Sequence, residues 1–285
     1  MLQSAQEKFE DERGSNLPMK HLEYFHDRYI VSSKKVSLPN TNPFHGFIRE
    51  ELLKYIITMT SFSMETTTSE IDDLQEELTS QLFSNISEQY FSERFQNEIV
   101  LAKRGFDSRT RYSTILRSNV GELTKVRGEC DSTLLYGDIP VACWGNRSVS
   151  NKQFFTTRPK AGTFAQAFAE IKGTSEHFQN AIGLAAPRFT GVLTSGLVWT
   201  LVIQEFYEGS HRYTDTSPIA MLSRTGTIVD GNVDIVASLL MYHLEATEVL
   251  MGMIDDHFAR LKNKPISVVF DDSLGVEDEV ISLLV

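Results

Sequence analysis

Apolar residues recur at helical spacing in three long stretches of the chain and alternate with polar ones between them. In "GFIREELLKYIITM", residues 46–59, Phe47, Leu52, Leu53, Ile56 and Ile57 fall near a 3.6-residue period. That spacing predicts a short amphipathic helix. From residue 68 to residue 106, Ile71, Leu74, Leu78 and Leu82 make one stripe, and Phe91, Phe95, Ile99 and Ala102 make a second. One or two helices are expected there, with Ser69 as N-cap, acids in the first turn and Gly105 as the stop. The stretch from "GNVDIVASLL" through "DDHFARLKN" predicts a long C-terminal helix with a broad apolar face, on which His243 and His257 read as polar-face residues. Its Leu- and Met-rich run "ASLLMYHLEATEVLMGM" suits either a dimer interface or the domain's own packing.

Between these stretches the period shortens to that of strands. "TRYSTILRS", "GECDSTLLYG" and "VACW" read as short strands, and "FTGVLTSGLVWTLVIQEF" as two strands joined at Thr-Ser-Gly. "TFAQAFAEIKG", residues 163–173, reads as a segment that ends in a strand, followed by a helix over "TSEHFQNAIGLAA" capped by Thr174 or Ser175. The first 45 residues are polar and broken by Pro18, Pro39 and Pro43. This order of elements predicts an α/β fold, a mixed central sheet flanked by helices, with an N-terminal helical extension and a long C-terminal helix.

Composition changes the picture little: with 285 residues, 41% hydrophobic and 23% charged, the chain is that of a globular protein with a sizeable core. Cys130 and Cys143 are too few for a disulfide framework, so a reducing, intracellular setting is expected, cytoplasmic or nuclear, with no membrane partner. Trp144 and Trp199 are expected in the core. Charge is more informative. The chain carries −11, yet Lys103–Arg127 holds seven basic residues against Asp107 and Glu122. Lys103, Arg104, Arg109, Arg111, Arg117, Lys125 and Arg127 are therefore candidate contacts to a phosphate backbone. The alternative is a solvated helix end and strand rim.

Candidate chemistry gathers around residues 131 and 170–172. In a strand, Glu170 and Lys172 would stand side by side on one face. If the strand of Asp131 is a neighbour, Asp131 and Glu170 can converge, and two hard carboxylates with a carbonyl and waters suit Mg²⁺ or Mn²⁺. Such an ion lowers the pKa of a bound water and offsets charge on a phosphate, with Lys172 positioning that water. Motifs for other chemistries, GxxxxGK[ST], GxGxxG, HExxH and GxSxG, are absent from the sequence.

Asp131, then Glu170-Ile171-Lys172, with a glutamate on the preceding helix and a polar residue on the following one, resemble the PD-(D/E)xK nuclease superfamily and its restriction-endonuclease-like fold. "GVLTSGLVWTLVIQEF" is similar to the hairpin after the catalytic helix in several branches, including the nuclease-like domains of Crinkler-type effectors of fungi and oomycetes. The resemblance covers about residues 88 to 206. It implies an N-terminal extension over 1–66, a nuclease-like domain over 67–262 and an acidic tail over 263–285. It implies Asp131 and Glu170 as metal ligands, Glu98 as an auxiliary acid, Lys172 as the catalytic lysine and Gln179 near the scissile phosphate. Glu129 and Asp138 compete with Asp131 for its role, and Glu93 with Glu98. Cys130 stands where the motif has proline, and the gap between Asp131 and Glu170 demands an insertion. The function implied is metal-dependent hydrolysis of nucleic acid, DNA before RNA. A homodimer is compatible, since duplex cleavage needs two cuts. The other expectation is a nuclease-like effector, working inside a host cell, or module that binds protein or nucleic acid without cutting.

Overall fold

The computed structural model describes residues 30–33, 44–62, 68–94, 104–108, 111–117, 123–146, 161–207, 210–216 and 218–262. Helices α1 (Phe44–Phe62), α2 (Thr68–Arg94), α3 (Ala161–Ile182) and α4 (Asp230–Lys262) surround a mixed sheet. Its strands are β1 (Ile30–Ser33), β2 (Arg104–Ser108), β5 (Ser132–Tyr136), β6 (Ile139–Asn146), β7 (Arg188–Thr194), β8 (Val198–Tyr207) and β9 (Ser210–Asp215), with β10 (Ile219–Ala220) paired to β8. They run in the order β1-β9-β8-β7-β6-β5-β2. β6 and β7 are parallel, and α3 is the crossover between them, as a parallel pair requires. Strands β3 (Arg111–Arg117) and β4 (Leu123–Glu129) form a separate two-stranded ribbon. The ribbon continues the β2–β5 pair, since Ser108 is paired with Ser132 and Arg111 with Glu129.

The expected α/β class, the flanking helices and the long C-terminal helix are all present. α1, β7, β8 and α4 form where the periodicity puts them. Trp144 and Trp199 are core residues, the Trp144 ring stacked on Phe83 at 4.4 Å. The Leu- and Met-rich run of α4 is spent on the molecule's own core, with Leu239, Leu240, Met241, Leu244, Leu250 and Met251 all buried. α4 is also long and apolar enough to cross a membrane by length and composition, but 67% of its apolar window lies inside the molecule.

Three expectations are corrected. Residues 163–173 do not end in a strand: they lie inside α3, which runs unbroken to Ile182. Phe168, Ile171, Phe178 and Ile182 are buried at helical intervals on both sides of Gly173, so one stripe spans the supposed boundary. Thr174 and Ser175 consequently cap nothing, and Thr174 Oγ1 donates back to the Glu170 carbonyl at 2.6 Å. Gly105 does not stop a helix; it pairs with Leu135 within β2. His243 is not on a polar face: its ring is buried, with Nδ1 2.7 Å from Thr190 Oγ1.

α3 seats closely on the sheet because Gly191 of β7 has no side chain. A Cβ there would lie 2.5 Å from Ile171 Cγ1. The ribbon docks on α3 through Tyr112, whose ring fits between Gly128 of β4 and Gly173 of α3.

Candidate functional site

Glu98, Lys103 and Arg109 lie outside the described residues, and Arg104 and Arg117 are described through the backbone of β2 and β3 only. The remaining candidates fall into two groups on α3 and one on the ribbon.

Glu170 and Lys172 are two apart on a helix, about 200° around its axis. They face different surroundings. Glu170 is 2% exposed and near enough to Cys143 of β6 for its charge to act on that thiol. Cys130 Sγ approaches Thr174 Oγ1 at 3.5 Å, one helical turn on from Glu170. The Cys143 thiol is held well above its ordinary pKa, first by its hydrogen bond with Cys130, then by burial, with Glu170 adding to both. Asp131, half-buried, is the bend residue after Cys130. The backbone of Asp131 thus follows a thiol that meets the middle of α3 one turn from Glu170. Lys172 is not beside them. Among the described residues, no three His, Cys, Asp or Glu side chains form a group able to hold a metal ion. The side-by-side Glu-x-Lys arrangement on which the metal centre depends is not formed.

Lys172 belongs instead to a polar column between α3, the ribbon and the far side of the sheet. Its ammonium pairs with Glu176, one turn on, and donates to Thr114 Oγ1 at 2.8 Å. Thr114 in turn donates to Glu176 Oε2 at 2.6 Å. Next to this triangle, the Gln204 amide of β8 contacts Ser175 Oγ and His211 Nδ1, the latter at 3.0 Å. Gln204 is 1% exposed and its Oε1 has no hydrogen-bond partner among the described residues. The His211 pKa is lowered, by burial first and then by the Lys172 charge, with Glu176 opposing. Gln179, half-buried, lies seven residues after Lys172 and so on the same helical stripe. Ser175, Glu176, Gln204 and His211 escaped the sequence reading. The Lys172–Glu176 spacing would have been visible had residues 161–182 been read as helix. The signal for Gln204 is a long amide side chain following the apolar run Leu201-Val202-Ile203.

The ribbon resolves the basic segment into two faces. Register pairs Tyr112 with Gly128 and Thr114 with Val126, and Tyr112, Thr114 and Val126 are buried against α3. The alternate positions turn outward: Ser113 opposite Arg127 and Ile115 opposite Lys125, with Arg111 and Leu123 exposed on the same alternation. Arg111 and Arg127 are exposed and Lys125 half-exposed. Among the described side chains this face therefore carries three cations, Arg111, Lys125 and Arg127. Strand alternation, rather than a helix end, gathers the positive charge. No protein-family profile matches this chain, and no curated protein is similar enough in sequence to be matched.

Proposed function

We propose that the chain is a nuclease-like module that binds nucleic acid through the outward face of the β3–β4 ribbon, and that binding rather than cleavage is its activity. The observation that carries this reading is the sorting of the ribbon's residues. Arg111, Lys125 and Arg127 share the outward face while Tyr112, Thr114 and Val126 bury the other. On a chain of net charge −11, a basic face of this kind is a local attractor for phosphate, not a general one. The mixed sheet with α3 as crossover is compatible with the restriction-endonuclease-like fold that the sequence resembles. Against hydrolysis stands the fate of the Glu-x-Lys motif. Glu170 is enclosed, and the Lys172 ammonium is engaged by Glu176 and Thr114.

The test is to incubate the protein with plasmid, single-stranded DNA and RNA, with Mg²⁺, Mn²⁺ or EDTA, and to follow retardation and cleavage together. The expected result is retardation with metal and with EDTA alike, no cleavage, and loss of retardation in Lys125→Glu/Arg127→Glu. Metal-dependent cleavage that disappears in Asp131→Ala and Glu170→Ala would replace this reading with the hydrolytic one.

A further inference from the structure

We infer that the ribbon's target is duplex DNA, entered through the major groove. This rests on the reading of the ribbon as a nucleic-acid interface and narrows it. The first argument is shape. The ribbon is two strands wide and seven paired positions long, from Arg111↔Glu129 to Arg117↔Leu123, roughly 20 Å at ~3.4 Å per residue. The major groove of B-form DNA, about 12 Å wide, admits a two-stranded ribbon, whereas that of A-form RNA is too narrow for side chains to read.

The second argument is what the outward face lacks. None of its described side chains, Arg111, Ser113, Ile115, Leu123, Lys125 and Arg127, is aromatic, and Tyr112 faces α3. Proteins that hold single strands stack the bases on aromatic side chains, and this face offers no such platform.

The third argument is what the face presents among its cations. Ile115 is 55% exposed and Leu123 is 49% exposed. Large aliphatic side chains left in solvent beside Lys125 and Arg127 match a groove floor that is itself partly apolar. In the major groove that apolar element is the thymine methyl group, which uracil lacks. Arginine at Arg111 and Arg127 has the fork geometry that pairs with the guanine edge in the same groove. Cations for the phosphates and aliphatics for the methyl groups thus lie on one surface.

Fluorescence anisotropy at fixed salt, with oligonucleotides of about two helical turns, tests the inference. Duplex DNA is expected to bind about tenfold or more tighter than duplex RNA or single-stranded DNA of the same sequence. Methyl green, which occupies the major groove, should displace the protein, and netropsin, which occupies the minor groove, should not. Replacing thymine by uracil in the duplex should weaken wild type but leave Ile115→Ala/Leu123→Ala unchanged. Equal or tighter binding to RNA or single strands, or displacement by netropsin alone, would overturn the duplex inference and leave the nucleic-acid reading standing. No binding to any of the three would overturn both.

Discussion

Gly173 shows how one missing side chain decides a docking geometry. In the middle of a helix, glycine is unfavourable by about 1 kcal/mol relative to alanine. Here a Cβ would meet Tyr112 Cδ2 at 2.6 Å and Tyr112 Cβ at 2.9 Å. The second contact is close to the backbone, so the ring cannot simply swing away. Overpacking of this kind costs about 1–3 kcal/mol, more than the helical gain. Gly173→Ala is therefore expected to lower the urea midpoint, and Gly173→Ala in a Tyr112→Gly background, which removes that Cβ as well as the ring, to raise it. His243 gives a second test at this scale. Burial lowers its pKa from 6.5 to about 4, so the folded protein holds it neutral. Between those values the unfolded chain takes up a proton that the folded one refuses. Stability is thus full above pH ~6.5 and falls as pH drops toward ~4, by an amount on the order of 3 kcal/mol. Urea unfolding across that range should show a flatter acid limb for His243→Gln than for wild type. Residue type made His243 look like a surface group. Its place between Thr190 and Phe83 comes from strand β7 and helix α2, which no local pattern reveals.

At the scale of elements, α3 is where the sequence misled and why is physical. "AEIK" alternates apolar and polar over four residues, which suits a strand, and Gly173 follows as an apparent terminator. The longer stripe through Phe168, Ile171, Phe178 and Ile182 outweighs it, because a helix on a sheet buries a row that long and a short strand cannot. The consequence is functional: the two residues expected side by side act in different places. Lys172 ties α3 to the ribbon through Thr114, while Glu176 closes the triangle. In sequence order Lys172 precedes Glu176, the less favourable orientation for an isolated helix, so the pair's value lies in holding Thr114. A double-mutant cycle of Thr114→Val and Lys172→Met, read by urea unfolding, should give a coupling of about 0.5–1.5 kcal/mol. Zero coupling would mean that the Lys172–Thr114 contact does not help to hold the ribbon on α3. α1, β7, β8 and α4 were legible because each keeps one period over its whole length. The ribbon's two faces were not, since they depend on the register of β3 against β4.

For the whole molecule, the question is whether one small basic face can govern partners on a chain of net charge −11. Salt separates the two contributions. Each phosphate neutralised releases counterions and adds about −0.9 to the slope of log affinity against log salt. Arg111, Lys125 and Arg127 together predict a slope close to −3, about −2.7, or roughly a 40-fold loss of affinity between about 50 mM and 200 mM salt. Repulsion from the acidic remainder works the other way, because salt weakens it too. If the acids lay close enough to oppose the ribbon, the measured slope would be much shallower than −3. Removing one cation by Lys125→Gln is expected to make the slope shallower by about 0.9. A slope near zero in wild type, with binding intact, would mean that phosphates are not the contacts and that the ribbon is not the interface. A slope near −3 that Lys125→Gln leaves unchanged would move the interface to another surface. Only a steep slope that falls with each ribbon cation removed fits the sorting of charge that β3 and β4 impose.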